Sequence, residues 1–95
     1  MKEIKFSTQY KKDAKRYRHR PELMSEVTKI LQYLKEDKPI PAEYYPHPLH
    51  HDYKGCMECH VKDDFLLIWI DRENDVIGVL RLGTHSELFG KGAKR

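Results

Sequence analysis

The sequence predicts an α+β fold in which two N-terminal helices pack on a small antiparallel β-sheet. The chain has 95 residues, which suits one domain of ordinary size. Apolar residues recur at helical spacing before residue 38, whereas the second half carries the alternating and continuous apolar runs of strands. The aromatic content, with six Tyr, three Phe and one Trp, argues against a disordered chain. We therefore expect a single domain over residues 1–95.

Two helices are predicted in the N-terminal part, after a possible short strand at residues 4–7. The first helix covers about residues 8–19. Its narrow apolar stripe comprises Tyr10, Ala14 and Tyr17. The second helix opens at Pro21, because the first helical turn does not need the N–H that proline lacks. It ends near Asp37, since Pro39 disfavours a helical residue before it. Its apolar positions are Leu23, Val27, Ile30, Leu31 and Leu34.

The second half is predicted to form a loop and then three strands. Residues 38–52 contain four prolines within ten residues, which excludes regular structure, and loops of this length are often functional. The strands are expected at residues 53–61, 65–70 and 76–82. Short turns would join them as an antiparallel meander with the helices on one face. Thr84 and Glu87 form a capping-box pattern that opens a short C-terminal helix, and residues 91–95 are expected to be a flexible tail.

Strand alternation predicts which side chains face the helices. Cys59 is expected in the core, whereas His60 lies on the polar face of its strand. Arg81 shares the otherwise apolar face of Val79, where a charged group is costly unless an anion meets it. We therefore expect Arg81 to have an anionic partner or ligand.

Basic charge is concentrated at the N-terminus. Residues 1–20 carry eight basic and two acidic side chains, a charge of +6, whereas residues 21–95 carry ten basic and thirteen acidic ones, a charge of −3. A one-sided basic patch is typical of proteins that bind polyanions. The same pattern also occurs on a solvated helix face that binds nothing, so both interpretations stay open. The basic residues of the first predicted helix are Lys11, Lys12, Lys15 and Arg16.

The sequence argues against several classes of protein. No apolar run approaches the roughly 18 residues of a membrane span, and residues 1–5 lack the apolar stretch of a secretory signal. We therefore expect a cytoplasmic protein with reduced thiols. Residues 56–60 spell C-x-x-C-H, the signature of c-type haem attachment, but in a strand Cys56 and Cys59 point to opposite faces. No cofactor and no metal are expected; zinc held by Cys56, His60 and nearby histidines is the alternative.

Histidine is unusually frequent, with six in the chain, and several could meet at one end of the predicted sheet. Histidines can act as acid and base near neutral pH, and the fork of arginine fits two phosphate oxygens. This combination suits RNA cleavage, in which a base removes the ribose 2′-hydroxyl proton, an acid protonates the leaving 5′-oxygen and a cation stabilises the phosphorane. Histidines without a role, and an arginine paired structurally with Asp64, are the alternatives. The candidate catalytic residues are His47, His60, Asp64, Arg81 and His85.

Three motifs occur in order in the second half: H-P-L at residues 47–49, C-H-V at 59–61 and R-L-G-T-H-S-E-L-F at 81–89. They resemble the YafQ branch of the RelE superfamily, the toxins of bacterial type II toxin–antitoxin pairs, and the resemblance extends over almost the whole chain. It implies a compact α+β fold with two helices against an antiparallel sheet. It also implies an endoribonuclease that cuts mRNA in the ribosomal A site without metal, leaving a 2′,3′-cyclic phosphate.

The resemblance assigns catalytic roles to individual residues. It implies that His85 is the general acid and that His60 or His47 is the base. Asp64 would orient a histidine or stabilise its charge. Arg81 would hold the scissile phosphate. Which of the two histidines acts as the base stays open.

The resemblance assigns substrate binding to aromatic and basic side chains. Phe89 would stack on a base, as aromatic rings do with splayed nucleotides, although an aromatic residue near a chain end also serves as core. Phe65 stands where relatives have Trp, so that a ring is kept but the indole N–H is lost. The basic residues Lys11, Lys12, Lys15 and Arg16 would bind ribosomal RNA.

The resemblance also implies partners. These are a cognate antitoxin, usually of the ribbon-helix-helix type, the 70S ribosome with its mRNA, and operator DNA reached only through the antitoxin. No membrane partner is expected. Two other functions stay open: a catalytically weak binding module that acts with an antitoxin as an operon co-repressor, and a free RNase that acts without ribosomes.

Overall fold

The computed structural model describes residues 1–90, so the predicted tail at residues 91–95 lies outside the described residues. Five strands and three α-helices follow one another in the described part of the chain. In order, they are β1 (Glu3–Phe6), α1 (Thr8–Tyr17), α2 (Pro21–Lys35), β2 (His47–Pro48), β3 (Met57–Lys62), β4 (Phe65–Arg72), β5 (Val76–Thr84) and α3 (His85–Phe89). Two 3₁₀ turns, Ala42–Tyr44 and His51–Tyr53, lie in the proline-rich loop.

All five strands belong to one sheet with the order β1-β5-β4-β3-β2. The predicted meander of three antiparallel strands forms its centre as β3, β4 and β5. The sheet extends beyond that prediction at both edges, because β2 pairs antiparallel with β3 and β1 pairs parallel with β5. A parallel pair needs a long crossover between its strands, which α1 and α2 begin. The α+β prediction is confirmed, and the sheet is mixed rather than purely antiparallel.

Both predicted N-terminal helices are present. The Ser7 side chain caps α1 by accepting a hydrogen bond of 2.9 Å from the Tyr10 N–H. Pro21 occupies the first turn of α2, as predicted. That helix stops at Lys35, and Asp37 follows with a positive φ of 57°. None of the helices in residues 1–90 is long and apolar enough to cross a membrane.

The first strand of the meander is shorter than the sequence predicts. It begins at Met57 rather than at Tyr53, which lies in the 3₁₀ turn. Gly55 has a φ of +91°, a left-handed conformation that favours glycine and that interrupts an extended chain. The proline-rich loop therefore continues to Cys56 before the strand begins.

Different elements pack on the two faces of the sheet. The face toward α1 and α2 carries the main core, which includes Leu23, Val27, Ile30, Leu67, Trp69 and Val79. The opposite face carries a smaller cluster of buried side chains, Leu49, Cys56, Leu66, Ile68 and Leu88, under the proline-rich loop and α3. We call these the helix-covered face and the loop-covered face. Cys59 lies in the main core and Cys56 in the smaller one, which confirms that the two thiols point to opposite sides.

A β-bulge changes the predicted position of Arg81. The β4–β5 register pairs Trp69 with Val79 but Ile68 with Arg81, so Leu80 is an extra residue on β5. Val79 therefore stays on the helix-covered face, whereas Arg81 lies opposite Ile68 on the loop-covered face. The prediction that Arg81 shares the face of Val79 is wrong, because simple alternation does not anticipate an inserted residue.

Candidate active site

One row of side chains crosses the loop-covered face. Strand pairing sets His47 opposite Glu58, Glu58 opposite Ile68, and Ile68 opposite Arg81. Directly paired residues project from the same face of a sheet. His60 lies two residues beyond Glu58 on β3 and so joins this face. The sheet therefore brings two predicted histidines and the predicted arginine to one face, with Ile68 as an apolar floor between them.

His47 and Glu58 form the closest contact in this row. The His47 Nε2 atom lies 3.0 Å from Glu58 Oε1, and Glu58 is fully buried. On the other side of the ring, His47 Nδ1 lies 2.7 Å from the carbonyl oxygen of Tyr45. The His60 ring is close to both neighbours, with centroid distances of 6.0 Å to His47 and 5.9 Å to Tyr45.

The contact with Tyr45 fixes how the His47 ring is held. A carbonyl oxygen only accepts, so Nδ1 carries a hydrogen and donates it to Tyr45. The other ring nitrogen, Nε2, then faces the buried carboxylate of Glu58.

Arg81 is held by a buried aspartate of α1. Its Nε donates to Asp13 Oδ2 at 2.9 Å and its Nη2 donates to Asp13 Oδ1 at 3.4 Å, and the Leu82 N–H donates to the same carboxylate at 3.0 Å. The hydrogen bond to Asp13 raises the pKa of Arg81 most, against the opposing effect of burial, and a weaker contribution comes from Tyr53. The predicted alternative of an Arg81–Asp64 pair is therefore wrong, since the partner is Asp13.

His85 opens α3 beside an aromatic pair. The short helix has the predicted capping box, in which the Thr84 side chain accepts from the Glu87 N–H and Glu87 accepts from the Thr84 N–H. The His85 and Phe89 rings have centroids 5.3 Å apart, and the Tyr53 ring meets Phe89 edge-on at 5.6 Å. Phe89 is half-buried against the smaller core, which leaves part of its ring exposed.

Glu87 also connects α3 to α1. Its Oε2 accepts from Arg16 Nη1 at 2.8 Å and from the Tyr17 hydroxyl, while Oε1 accepts from the Thr84 N–H at 2.8 Å. Partial burial alone would raise the pKa of Glu87, but the hydrogen bonds from Thr84, Tyr17 and Arg16 outweigh it and lower the pKa to about 2. Glu87 is therefore a carboxylate at every physiological pH, and it fixes the end of the helix that carries His85.

Two predicted site residues lie apart from the row. Asp64 is exposed in the turn between β3 and β4, at the same end of the sheet as Thr84, which pairs with Phe65. Phe65 is only 6% exposed and packs in the main core, edge-on against Tyr17 at 4.8 Å and under the Arg20 guanidinium at 4.8 Å. The structure therefore gives Phe65 a place in the core, and its predicted contact with RNA stays a prediction.

The basic residues of α1 lie where the sequence places them. Lys11, Lys12, Lys15 and Arg16 are all exposed on α1. Arg16 differs from the lysines because it is already paired with Glu87. Of the other histidines, His19 and His50 are exposed.

One group of residues in the described chain has the geometry to hold a metal ion. Ligand atoms of His47, Glu58 and His60 all lie within 4.8 Å of one another. Cys56 does not belong to this group of described residues. Burial raises the pKa of the Cys56 thiol, although the charge of Arg72 opposes this, and burial with the charge of Glu58 raises the pKa of Cys59 to about 12.

Sequence reasoning missed the roles of three acidic residues. Glu58 is not among the residues that the sequence predicts for the site, because its pairing with His47 depends on a two-residue strand inside a proline-rich loop. The position of Asp13 could have indicated its role, because an acidic residue three positions after Tyr10 lies on the apolar side of a basic helix. The capping role of Glu87 was predicted, but its contacts with Arg16 and Tyr17 depend on the packing of α3 against α1.

Fold and site together define a class of protein: a small α+β nuclease-type domain with histidines, an arginine and a buried glutamate on one face of its sheet. The comparisons with known proteins identify the family. Residues 2–90 match the family model described as "Bacterial toxin of type II toxin-antitoxin system, YafQ". The chain belongs to the YafQ family of toxins, as the motifs predict.

Several relatives cover nearly the whole chain. The "mRNA interferase toxin YafQ" of Escherichia coli strain K12 is 34% identical over 90 residues, which are 94% of this chain and 97% of the relative. The E. coli DinJ–YafQ complex contains a chain with a TM-score of 0.81 and 33% identity, covering 95% of this chain and 100% of that chain. A metal-bound toxin from Helicobacter pylori has a TM-score of 0.84 and 32% identity, with coverages of 94% and 100%.

Proposed function

We propose that this protein is the toxin of a type II toxin–antitoxin pair and that it cleaves mRNA in the ribosomal A site. The row of His47, Glu58 and Arg81 across the loop-covered face, with His60 beside it, is the observation that carries the proposal. Neighbouring strands are about 4.8 Å apart, so β3, which carries His60, and β5, which carries Arg81, are about 10 Å apart. The side chains of His60 and Arg81 can therefore approach one phosphate from both sides.

The chemistry proposed for this site needs only side chains. His60 removes the proton of the ribose 2′-hydroxyl, and the 2′-oxygen attacks the adjacent phosphorus. His85 donates a proton to the departing 5′-oxygen, which leaves a 2′,3′-cyclic phosphate on one fragment and a 5′-hydroxyl on the other. His47, held between Glu58 and the Tyr45 carbonyl, lies beside His60 and is proposed to stabilise the developing negative charge. Asp64 orients or stabilises a histidine from its exposed turn.

Arg81 is proposed to bind the scissile phosphate. A guanidinium has five N–H donors, and Asp13 accepts from two of its nitrogens. The remaining donors can meet phosphate oxygens while Asp13 holds the group in place, and this kind of support favours a fixed geometry at the reacting atoms. Phe89, with part of its ring exposed beside His85, is proposed to stack on a base.

Binding to the ribosome is assigned to the exposed basic face of α1. Lys11, Lys12 and Lys15 would contact ribosomal RNA phosphates, and this predicts a steep dependence on salt. The neutralising partner is proposed to be an antitoxin of the ribbon-helix-helix type, through which the pair would bind operator DNA, and the protein would act in the cytoplasm. The E. coli relative, for which a complex with DinJ is known, supports an antitoxin partner.

The proposal is tested by mapping mRNA 5′ ends in a reconstituted translation reaction. We expect new ends inside codons with the wild-type protein, only when ribosomes are present, and their loss with His85→Ala. His19→Ala is the matched control, because His19 is exposed and outside the site. Cleavage of ribosome-free transcripts at the same rate would replace the proposal with a free RNase. An absence of new ends with active ribosomes would favour the co-repressor function.

A further inference from the structure

We propose that the open part of the loop-covered face, next to the β4–β5 turn, is a second RNA-binding subsite that holds the mRNA strand a few nucleotides from the cut. The subsite is a cavity of about 380 Å³ whose lining includes Lys5, Phe6, Arg72, Gly78 and Leu80. The inference rests on the proposed function, because it assigns the cavity to the RNA that the protein cleaves. Binding of RNA to the cavity can nevertheless be measured without cleavage.

The cavity lies on the same face of the sheet as the catalytic row. Ile68, Ile70 and Arg72 are alternate residues of β4, so they project from one face. Leu80 packs against the smaller core of this face and also lines the cavity. From Ile68, the partner of Arg81, to Arg72 is about 13 Å of extended strand. An RNA strand covers that distance with at most about four nucleotides, at about 3.4 Å for each stacked nucleotide.

Two exposed basic side chains line this cavity without an acidic partner. Within residues 1–90, neither Lys5 nor Arg72 forms an ion pair, whereas Arg16 and Arg81 each have a carboxylate partner. The one acidic side chain among the lining residues, Glu73, belongs to the exposed β4–β5 turn. Two like charges at one cavity repel each other, and an anion between them removes this cost. A phosphate group therefore suits this position.

Gly78 leaves room for the Arg72 side chain to lie across β5. A Cβ atom at residue 78 would come within 2.6 Å of Arg72 Nε and 3.3 Å of its Nη2, so the guanidinium occupies the space that a larger residue would fill. Gly78 also pairs with Lys5 of β1, which places the two cations on either side of it. A glycine inside a strand weakens the strand and often marks the close approach of another group. Here that group is the guanidinium, which is held over the floor of the cavity.

Phe6 supplies an aromatic surface at the same cavity. Phe6 is 41% exposed, and its ring stacks on the buried Tyr10 ring with centroids 5.1 Å apart. The stack holds the Phe6 ring in place and leaves part of it open to a base. Proteins that bind single-stranded nucleic acid combine a basic groove with aromatic rings on which the bases stack. Lys5, Arg72 and Phe6 provide this combination within one cavity.

An RNA strand fits this surface better than an acidic peptide does. The fork of arginine suits two phosphate oxygens, and the exposed ring of Phe6 suits a base. The volume of about 380 Å³ is at the lower end of the roughly 300–1,000 Å³ of small-ligand sites, which is enough for one nucleotide unit. A strand held at Arg81 by its scissile phosphate would reach this cavity along the same face of the sheet.

RNA binding is tested by fluorescence anisotropy with a short fluorescein-labelled single-stranded RNA. The full-length His85→Gln protein is the parent, so that the RNA stays intact. Adding Lys5→Ala and Arg72→Ala should lower the slope of log affinity against log salt by about 1.4, which is about 0.7 for each phosphate contact on a single strand. Adding Lys29→Ala and Lys35→Ala, at two exposed lysines of α2, makes the same change in charge and should leave the slope unchanged. Equal slopes for these two sets of variants would overturn the inference.

Phe6→Leu distinguishes RNA from an acidic peptide as the ligand. The affinity for the labelled RNA should fall by about fivefold or more, because a stacked base is lost. The affinity for poly-glutamate labelled in the same way should not change, since leucine keeps the charge of the cavity. An unchanged affinity for RNA, or an equal loss for both ligands, would refute the assignment of the cavity to RNA.

Gly78→Ala distinguishes a positioned guanidinium from a general positive charge. The added methyl group displaces Arg72 but keeps every charge, and the atoms nearest to it belong to the side chains of Arg72 and Ile70, so the backbone of β5 can stay in place. Circular dichroism shows that the variant is folded. RNA affinity should fall by about fivefold in Gly78→Ala and in Arg72→Ala, the upper range for an exposed ion pair, and no further when the two are combined. Full affinity in a folded Gly78→Ala protein would contradict the subsite.

The link to the cleaved strand is tested on programmed ribosomes. Each mRNA carries one uncharged methylphosphonate linkage within about four nucleotides of the cut. For one of these linkages, the KM of the wild type should rise by about fivefold while that of Arg72→Ala does not, and kcat should stay the same in both. Equal rises in KM for the two proteins at every linkage would overturn the assignment to the mRNA strand. If the wild type cleaves no mRNA on ribosomes, the proposed function fails, while the anisotropy measurements still decide whether the cavity binds RNA.

Discussion

The two faces of the sheet are built from the same strands but carry different kinds of side chain. The helix-covered face is filled by apolar side chains such as Leu67, Trp69 and Val79. The loop-covered face has a smaller apolar cluster, and the adjoining row contains a buried glutamate, two histidines and an arginine. Alternation along β3 therefore supplies core residues and site residues in turn. Residues that stabilise the fold and residues proposed to act on RNA are therefore neighbours in sequence and point to opposite faces of the sheet.

The largest expected effect belongs to the loop-covered face. His85→Gln should lower the single-turnover rate of mRNA cleavage by about 10²–10⁴, the range for loss of a general acid. The free energy of unfolding should change by less than about 0.5 kcal/mol, since His85 is only half-buried. Quench-flow kinetics measure the cleavage rate, and urea unfolding measures the free energy of unfolding. Equal losses of activity in His19→Gln would break the assignment.

The helix-covered face should show the opposite balance. Leu67→Ala removes a fully buried side chain and should lower the free energy of unfolding by about 2–5 kcal/mol. Leu31→Ala, at the half-buried rim of the same core, should cost less. Cleavage by the fraction that remains folded should be close to wild type. A large loss of activity at full folding would contradict the separation of the two faces.

Asp13 joins the two faces and should affect both. Asp13→Asn keeps an acceptor for the Leu82 N–H but removes the charge that holds Arg81. We expect a loss of about 2 kcal/mol in unfolding free energy, the range for hydrogen bonds to charged groups. The KM for cleavage should rise as Arg81 loses its orientation. An increase in unfolding free energy with unchanged cleavage kinetics would show that Asp13 neither stabilises the fold nor orients Arg81.

Glu87 should make the free energy of unfolding depend on pH under acidic conditions. Its pKa is lowered from 4.5 to about 2 in the folded protein. The resulting stabilisation is complete above the unfolded pKa and is lost as pH falls through the folded one. Because the Glu87 side chain is 29% exposed, solvent screening limits this contribution to about 1 kcal/mol. Urea unfolding of wild type and Glu87→Gln should therefore converge between about pH 4.5 and about pH 2, and parallel curves would contradict the assignment.

The smallest expected effect concerns the basic helix. Replacing Lys11, Lys12 and Lys15 with Ala, while Arg16 stays paired with Glu87, should reduce the salt dependence of ribosome binding. The slope of log affinity against log salt should fall by about two to three. A control variant removes Lys29, Lys35 and Lys54 instead. Co-sedimentation that is equally salt-dependent in both variants would assign the RNA contact elsewhere.

Prediction from the sequence succeeded where one local signal dominates. The spacing of Leu23, Val27 and Ile30 predicted the buried side of α2, and the apolar run of residues 65–70 predicted the central strand. Cys59 and His60 were placed on the correct faces because β3 is regular over those positions. Thr84 and Glu87 predicted the start of α3 through their capping chemistry.

Prediction failed where a contact depends on distant packing. The bulge at Leu80 turned Arg81 to the other face, and no local signal in β5 marks an extra residue. Asp13 meets Arg81 across 68 residues of sequence, and Glu58 meets His47 only because two residues of a proline-rich loop pair with β3. Nonlocal contacts of this kind are fixed by the assembled fold.

The most direct test of the central claim uses a programmed ribosome whose A-site codon carries a single 2′-deoxyribose at the cleavage position. The account predicts that the wild-type protein binds this complex normally but does not cut it, whereas the all-ribose complex is cut to a 2′,3′-cyclic phosphate. Cleavage of the deoxy-substituted mRNA would contradict attack by the 2′-oxygen and with it the acid–base roles of His60 and His85.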